Sequence, residues 1–355
     1  MKLKRIRKEG YDLLMHQLLM HIFAKYENER TISAAFHILQ GKRSGTTMQD
    51  VGLYKLFPYF GIFRKFPRQE FDRLVQQLQH NDYIEVEESG HFRLLPKGRQ
   101  SLQEPFDLYL DGWHYRGNEH LFFGRLSLII QALSHQAAGH KAFAPIERDE
   151  AIQQFSRRYL TYHNFHTKPI QQALREELLA CFEDTQLTDE QLNIVTQRLH
   201  GAEVFGYTWA QIAENCERDV LSCQLLFISA LHKILYQLEQ QHYSMLQPLV
   251  YGVKITNVLT ESAQLTANLL LQGRTLDEIA QIRRLKMSTI EDHIVEFAMY
   301  EPSFPIDVFI SQQDREKVYE AIDSYMTKKL KVLKEAVPHL SYFQLKLALA
   351  KEGIH

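Results

Sequence analysis

A chain of 355 residues with 45% apolar side chains has enough material for a sizeable core and, by length, for two or three domains. Its 41 Lys and Arg face 43 Asp and Glu, a net charge of −2, so no global field draws it to a polyanion and any nucleic-acid binding must come from local patches. Cys181, Cys216 and Cys223 leave an odd thiol in any pairing, which argues against a disulfide framework and for a reducing compartment.

The amino terminus carries Lys2, Lys4, Arg5, Arg7 and Lys8, but Asp12, His16 and Gln17 break the apolar stretch behind them, unlike a signal peptide. No run approaches the ~20 apolar residues that span a bilayer. The expectation is a protein of the cytoplasm or the nucleoid, with no membrane partner.

Residues 13–98 read as a winged helix. Helices near Leu13–Tyr26 and Ile32–Leu39 precede an apolar stripe, Phe71, Leu74, Val75 and Leu78, opened by Pro67 and closed near Asn81. The period then switches to two: Tyr83–Glu87, a Ser89-Gly90 turn, and His91–Leu95 form a β-hairpin wing. Between the helices, Gly41–Arg68 holds Lys42, Arg43, Lys55, Arg64, Lys65 and Arg68 against the single acid Asp50, with Tyr54, Phe57, Tyr59, Phe60 and Phe63 interleaved. Two readings stay open for this stretch: a nucleic-acid surface, or core aromatics with a solvated basic rim.

From Phe106 to about Glu183 the pattern is helical without a motif, and the Trp113-His-Tyr-Arg segment reads as a polar loop. A supersecondary repeat follows. Gly206-Tyr-Thr-Trp-Ala-Gln-Ile-Ala213 returns as Gly273-Arg-Thr-Leu-Asp-Glu-Ile-Ala280, each copy preceded by a helix that opens on a Thr cap and closes on a Gly stop.

In the second copy Leu276, Ile279 and Ala280 stripe one helix, Leu285 fills the turn, and Ile290, Ile294 and Phe297 stripe the next, the arrangement of a helix-turn-helix. The exposed face of its second helix, about Thr289–Met299, would be the reading surface. That face offers Glu291, Asp292 and Glu296 and no cation, so phosphate repulsion opposes major-groove reading; the cations gather at the turn as Arg283, Arg284 and Lys286. The second helix of the first copy is almost wholly apolar around Leu225–Leu231 and reads as a buried structural copy. Beyond it, Lys328, Lys329, Lys331 and Lys334 read as a wet face, and Ser341 caps a last apolar helix from Tyr342 to Ala350.

Catalysis has no support in the sequence. Gly41-Lys-Arg-Ser-Gly-Thr-Thr fails the phosphate-loop spacing, there is no nucleophile elbow or dinucleotide fingerprint, and the pairs His135/His140 and His163/His166 lack the spacing of a metal motif. No enzyme, cofactor or metal is expected.

Thr31-Ile-Ser-Ala-Ala-Phe-His-Ile-Leu-Gln-Gly-Lys-Arg-Ser, Phe60-Gly-Ile, the Glu70–Leu78 helix and Tyr83-Ile-Glu-Val together resemble the winged-helix (RQC) region of RecQ-family helicases. Gly273–Ile294, Pro305-Ile-Asp and Ser341-Tyr-Phe-Gln-Leu-Lys-Leu-Ala-Leu-Ala resemble the helicase-associated helix-turn-helix domain at the tail of some RecQ proteins. With no motor and no four-Cys zinc module, the pattern is similar to the YpbB-type proteins of Gram-positive bacteria, which are associated genomically with a short RecQ-like helicase.

The resemblance implies a mainly α chain with an RQC-like winged-helix domain at 1–104, a helical middle at 105–255 holding a degenerate helix-turn-helix at 187–240, and a helicase-associated domain at 256–355. It also implies a non-enzymatic accessory of a RecQ-like helicase in DNA repair or recombination, binding forks or junctions through phosphates. The expected DNA contacts are Lys42, Arg43, Thr46, Thr47, Lys55, His91, Arg93, Arg283, Arg284, Lys286 and Thr289, with Glu291 and Asp292 facing a protein partner. Two alternatives are a protein–protein adaptor and a transcription regulator.

Overall fold

The computed structural model describes residues 13–26, 29–140, 142–165, 168–256, 259–301 and 303–352. The basic N-terminal run and His166 lie outside them. The chain is mainly helical, with one two-stranded hairpin among the described residues. It divides into two compact units, one holding residues up to Met20 with Ser101–Ile255, the other His21–Gln100 with Thr256 to the end of the chain. His21–Gln100 and the tail, far apart in sequence, therefore share one unit.

α1 (Leu13–Tyr26) carries apolar residues on most of its surface, and Met15, Leu18, Leu19, Ile22, Phe23 and Tyr26 are buried. α2 (Ile32–Gln40) stops at Gly41, whose φ of 67° closes a Schellman turn: Gly41 N donates to Ile38 O and Lys42 N to His37 O. A Cβ at Gly41 would stand 2.8 Å from Gly61 Cα, so glycine is needed both for the turn and for this backbone approach.

Sequence periodicity misses α3 (Gly45–Leu53), which Ser44 caps by accepting from Thr47 N. α4 (Arg68–His80) buries the expected stripe Phe71, Leu74, Val75 and Leu78. β1 (Ile84–Val86) and β2 (Phe92–Leu94) pair antiparallel with Ile84 opposite Leu94, a Thr31–His91 bridge ties the wing to the start of α2, and α5 (Pro96–Ser101) follows.

The middle of the chain is built around α12. α6 (Gly112–Tyr115) corrects the polar-loop expectation: Trp113 is buried, with the Arg116 guanidinium 4.3 Å from its ring centre. Then come α7 (Glu119–Ala137), α8 (Glu150–Tyr162), α9 (Lys168–Thr185), α10 (Asp189–Gln197), α11 (Trp209–Asn215) and α12 (Val220–Gln240). Cys223, Leu226, Phe227, Ala230, Leu231, Ile234 and Leu235 put α12 inside the core of this unit. By length and composition α12 is apolar enough to cross a membrane, contrary to the reading that no run approaches that length, and it is mostly buried within its unit.

The tail comprises α13 (Glu261–Leu271), α14 (Leu276–Arg283), α15 (Met287–Tyr300), α16 (Gln312–Tyr325), α17 (Leu330–Ala336) and α18 (Tyr342–Ala350). α15 is central, packed by α13, α14, α18 and, from the other end of the chain, α3. Gly52 makes room for that last contact, since a Cβ there would meet Met299 Sδ at 2.8 Å, and Tyr300 Oη donates to Met48 O at 2.7 Å.

Candidate nucleic-acid interface

The second helix-turn-helix forms as the sequence dictates. Thr275 and Glu278 close a reciprocal capping box at the start of α14, Arg284 turns the chain at φ 52°, and Leu285 N donates to Ala280 O at 3.1 Å. The expected reading face of α15 does not exist. Ile290 and every residue from Ile294 to Met299 are buried, because helices from both ends of the chain cover the face that a free-standing motif would show.

Its acids serve the fold. Glu296 accepts from Thr260 N at 2.6 Å and from Thr260 Oγ1 at 3.1 Å, which braces the cap of α13. Asp292 Oδ1 accepts from Gln49 Nε2 at 3.0 Å and from Lys346 Nζ at 2.7 Å, so the carboxylate expected to face a partner is already held by its own chain. Glu291 beside it is half-buried, and burial, reinforced by Asp292, raises its pKa.

The turn cations divide. Arg283, expected on phosphate, points inward: its guanidinium donates to Ser262 O, to Ser262 Oγ at 2.9 Å and to Thr266 Oγ1, and burial lowers its pKa. It locks α14 onto α13. Arg284 and Lys286 are exposed, and among the described residues neither has an ion-pair partner; Thr289 is half-buried, its N–H on Lys286 O.

At the other end of the chain, the Gly41 turn presents Lys42 and Arg43 to solvent. Lys42 Nζ lies 3.5 Å from His37 Nε2, and Arg43 Nη2 donates to Leu259 O at 2.6 Å. That bond is the geometric key. Arg43 holds the segment entering α13 while Arg283 holds its first turn at Ser262, so arginines from both ends of the chain meet at one helix start.

Other expected contacts do not join them. Thr47 is buried with Oγ1 2.8 Å from Ser44 Oγ, while Thr46 is exposed. On the hairpin Arg93 is paired with Glu85 across the two strands and His91 Nδ1 lies 3.1 Å from Ser89 Oγ, so both expected contacts are engaged internally. Tyr54, Phe60 and Phe63 are buried, which settles those aromatics as core. Lys55 is exposed at φ 50°, away from this cluster's bonds. His135 and His140 bring Nδ1 atoms to 3.0 Å, and among the described residues no third His, Cys, Asp or Glu joins them as a metal ligand.

A family model described as a helix-turn-helix domain matches residues 262–349. Protein YpbB of Bacillus subtilis (strain 168) is 30% identical over 344 residues, covering 94% of this chain and 96% of its own. The chain belongs to the YpbB family. No solved structure matches it significantly. For this YpbB-family chain, sequence reasoning missed the partners that consume Asp292: Gln49 and Lys346 lie 243 and 54 residues from it, a pairing that local patterning does not encode. Glu296, six residues after Ile290 and two after Ile294, lies off the striped face, so its burial too carried no local signal.

Proposed function

We propose that this YpbB-family protein is a non-enzymatic DNA-binding accessory of a RecQ-like helicase in repair or recombination, gripping DNA structure through phosphates. The supporting observation is that Arg43 and Arg283 both bond the start of α13, at Leu259 O and at Ser262, so that the exposed Lys42 and the exposed Arg284 and Lys286 each neighbour in sequence a residue anchored there, in a chain whose overall charge is almost balanced. Burial of α15 weighs against a transcription regulator, which would need a helix face free to enter the major groove.

Anisotropy titrations with fork, single-stranded and duplex DNA, with and without the helicase, test the reading; fork preference supports it. Replacing Lys42, Arg43, Arg284 and Lys286 by Ala removes up to four phosphate contacts and is expected to flatten the log–log salt slope on duplex by up to about 3.6, at ~0.9 each. An unchanged slope overturns the assignment. The adaptor reading draws on the exposed Leu265, Leu271 and Ile282 of α13 and α14, and a DNA signal that exists only in the presence of helicase selects it.

A further inference from the structure

The lysine run after α16, which the sequence alone reads as a solvated face, is bound into a specific corner of its unit. Glu29 Oε1 accepts from Thr327 Oγ1 at 2.5 Å and from Lys328 N at 3.1 Å, and Lys328 Nζ donates to Leu53 O at 3.2 Å. These bonds set the 325–329 turn against the end of α1 and the end of α3. Lys25, from the last turn of α1, and Lys55, two residues past Leu53, share this corner. Both are exposed, and Lys329 is exposed beside them.

Three features distinguish the corner from an ordinary wet face. Partial burial is the main cause that lowers the Lys25 pKa, and the charges of Lys55 and Lys328 lower it further, which places the three ammonium groups in one another's field. Three acids of this corner are already occupied, Glu29 by the turn, Glu352 by Lys328 at 2.7 Å and Asp50 by Arg30 at 2.9 Å, while Asp323, two residues before Tyr325, is exposed. The turn also lifts two large side chains into solvent, Tyr325 at 58% and Met326 at 87% exposure, with Met326 held at φ 49°. Burying neither of them while gathering cations around them is unfavourable for the free protein and suited to a ligand with both charge and flat apolar faces.

We infer that this corner, formed by Lys25, Lys55 and Lys329 around the exposed Tyr325 and Met326, binds single-stranded nucleic acid, with lysines on phosphates and Tyr325 stacked on a base. Unstacked bases and a backbone phosphate at every nucleotide supply both chemistries, whereas a duplex hides its base faces and an acidic peptide lacks them. The surface is distinct from the cations around α13, and the inference shares with the proposed function only its class of ligand.

A labelled oligothymidylate of about 15 nucleotides, within the span of single-strand binders, and a duplex of the same length form the test. With the Lys25→Gln/Lys55→Gln variant the salt slope for oligothymidylate is expected to fall by about 1.4, two contacts at ~0.7 each. Tyr325→Ala is expected to weaken it about tenfold with the slope unchanged, as loss of one stack requires. Both variants keep parental duplex binding; Tyr325→Ala keeps the parental melting curve, and Lys25→Gln/Lys55→Gln melts at or slightly above it, since the repulsion between the lysines is relieved.

Parental affinity in both variants, equal losses on duplex, or failure of the unmodified protein to bind oligothymidylate each overturn the inference. So does a polyglutamate peptide that binds here and resists displacement by oligothymidylate. Absent duplex and fork binding with oligothymidylate binding intact defeats the proposed function and leaves the single-strand corner standing.

Discussion

The two copies of the repeated motif fold alike in different units, which makes them a controlled comparison. Glu217 and Arg284 occupy the same place and turn the chain at φ 51° and 52°, and the bonds that close the turn, Arg218 N to Ala213 O and Leu285 N to Ala280 O, differ by 0.1 Å. The following helices bury equivalent residues: Cys223, Phe227 and Ala230 in one, Ile290, Ile294 and Phe297 in the other. What differs is charge at the turn. In the first copy Arg218 is taken up by Glu190 at 2.9 Å and Asp219 caps α12 by accepting from Ser222 N, whereas the second copy leaves Arg284 and Lys286 exposed and caps α15 with no side chain. The shared motif specifies a helix clasp. Any anion-binding role lies in the few residues of the turn and in what the rest of the unit brings beside it.

The sharpest way to break this comparison is to hollow both second helices. Phe227 and Ile294, at matching offsets, each sit in a packed core, so Phe227→Ala and Ile294→Ala are each expected to cost ~3 kcal/mol or more in urea denaturation. If α15 were a free reading helix, Ile294→Ala would still be costly but the neighbouring Glu296→Ala would be neutral. Here it leaves Thr260 N–H and its hydroxyl without their acceptor and is expected to destabilise the protein by about 1–3 kcal/mol.

Local patterning carried much of the fold. The stripe Phe71–Leu78, the alternation of the hairpin and the Thr caps of the repeat depend on neighbours within a turn or two, and the structure has them all. The candidate site was less legible because exposure is a tertiary property. Nothing near Asp292 in sequence announces Gln49 or Lys346, and nothing near Arg283 announces Ser262 as the acceptor that draws it inward. α3 escaped notice because Gly45, Gly52 and paired threonines give a weak helical signal; Ser44 and packing against α15 supply what propensity does not.

A smaller effect sharpens the contrast between turn arginines. Removing Arg283 strips three acceptors on Ser262 and Thr266 of their donor at a part-buried helix contact, so Arg283→Ala is expected to cost about 1–2 kcal/mol. Arg218 forms a half-exposed pair with Glu190, and Arg218→Ala is expected to cost at most about 1 kcal/mol. In a DNA titration Arg283→Ala, once corrected for folded fraction, leaves the salt slope unchanged. A slope reduced by about 0.9 would instead place Arg283 on a phosphate.

The smallest effect separates the two caps by pH. Thr208→Ala and Thr275→Ala each remove a Thr acceptor from a capping box and are each expected to cost ~1 kcal/mol at neutral pH. The reciprocal partner differs: Gln211 Oε1 accepts from Thr208 N at 2.9 Å, while Glu278 Oε2 accepts from Thr275 N at 2.9 Å. Only the second titrates. The Thr275 N–H is the main cause that holds the Glu278 pKa below its usual 4.5, so the charged form is favoured in the folded protein. Its contribution is therefore present above pH 4.5 and is lost as pH falls through the lowered native value. Stability differences between the native chain and Glu278→Gln, measured by urea denaturation from pH 6 downward, are expected to shrink or reverse over that window, while Gln211→Ala differs from the native chain by the same amount throughout. A Glu278→Gln difference that stays constant with pH would mean that the carboxylate charge adds nothing to the cap and that the two copies are held at their N-termini by the same neutral bonds.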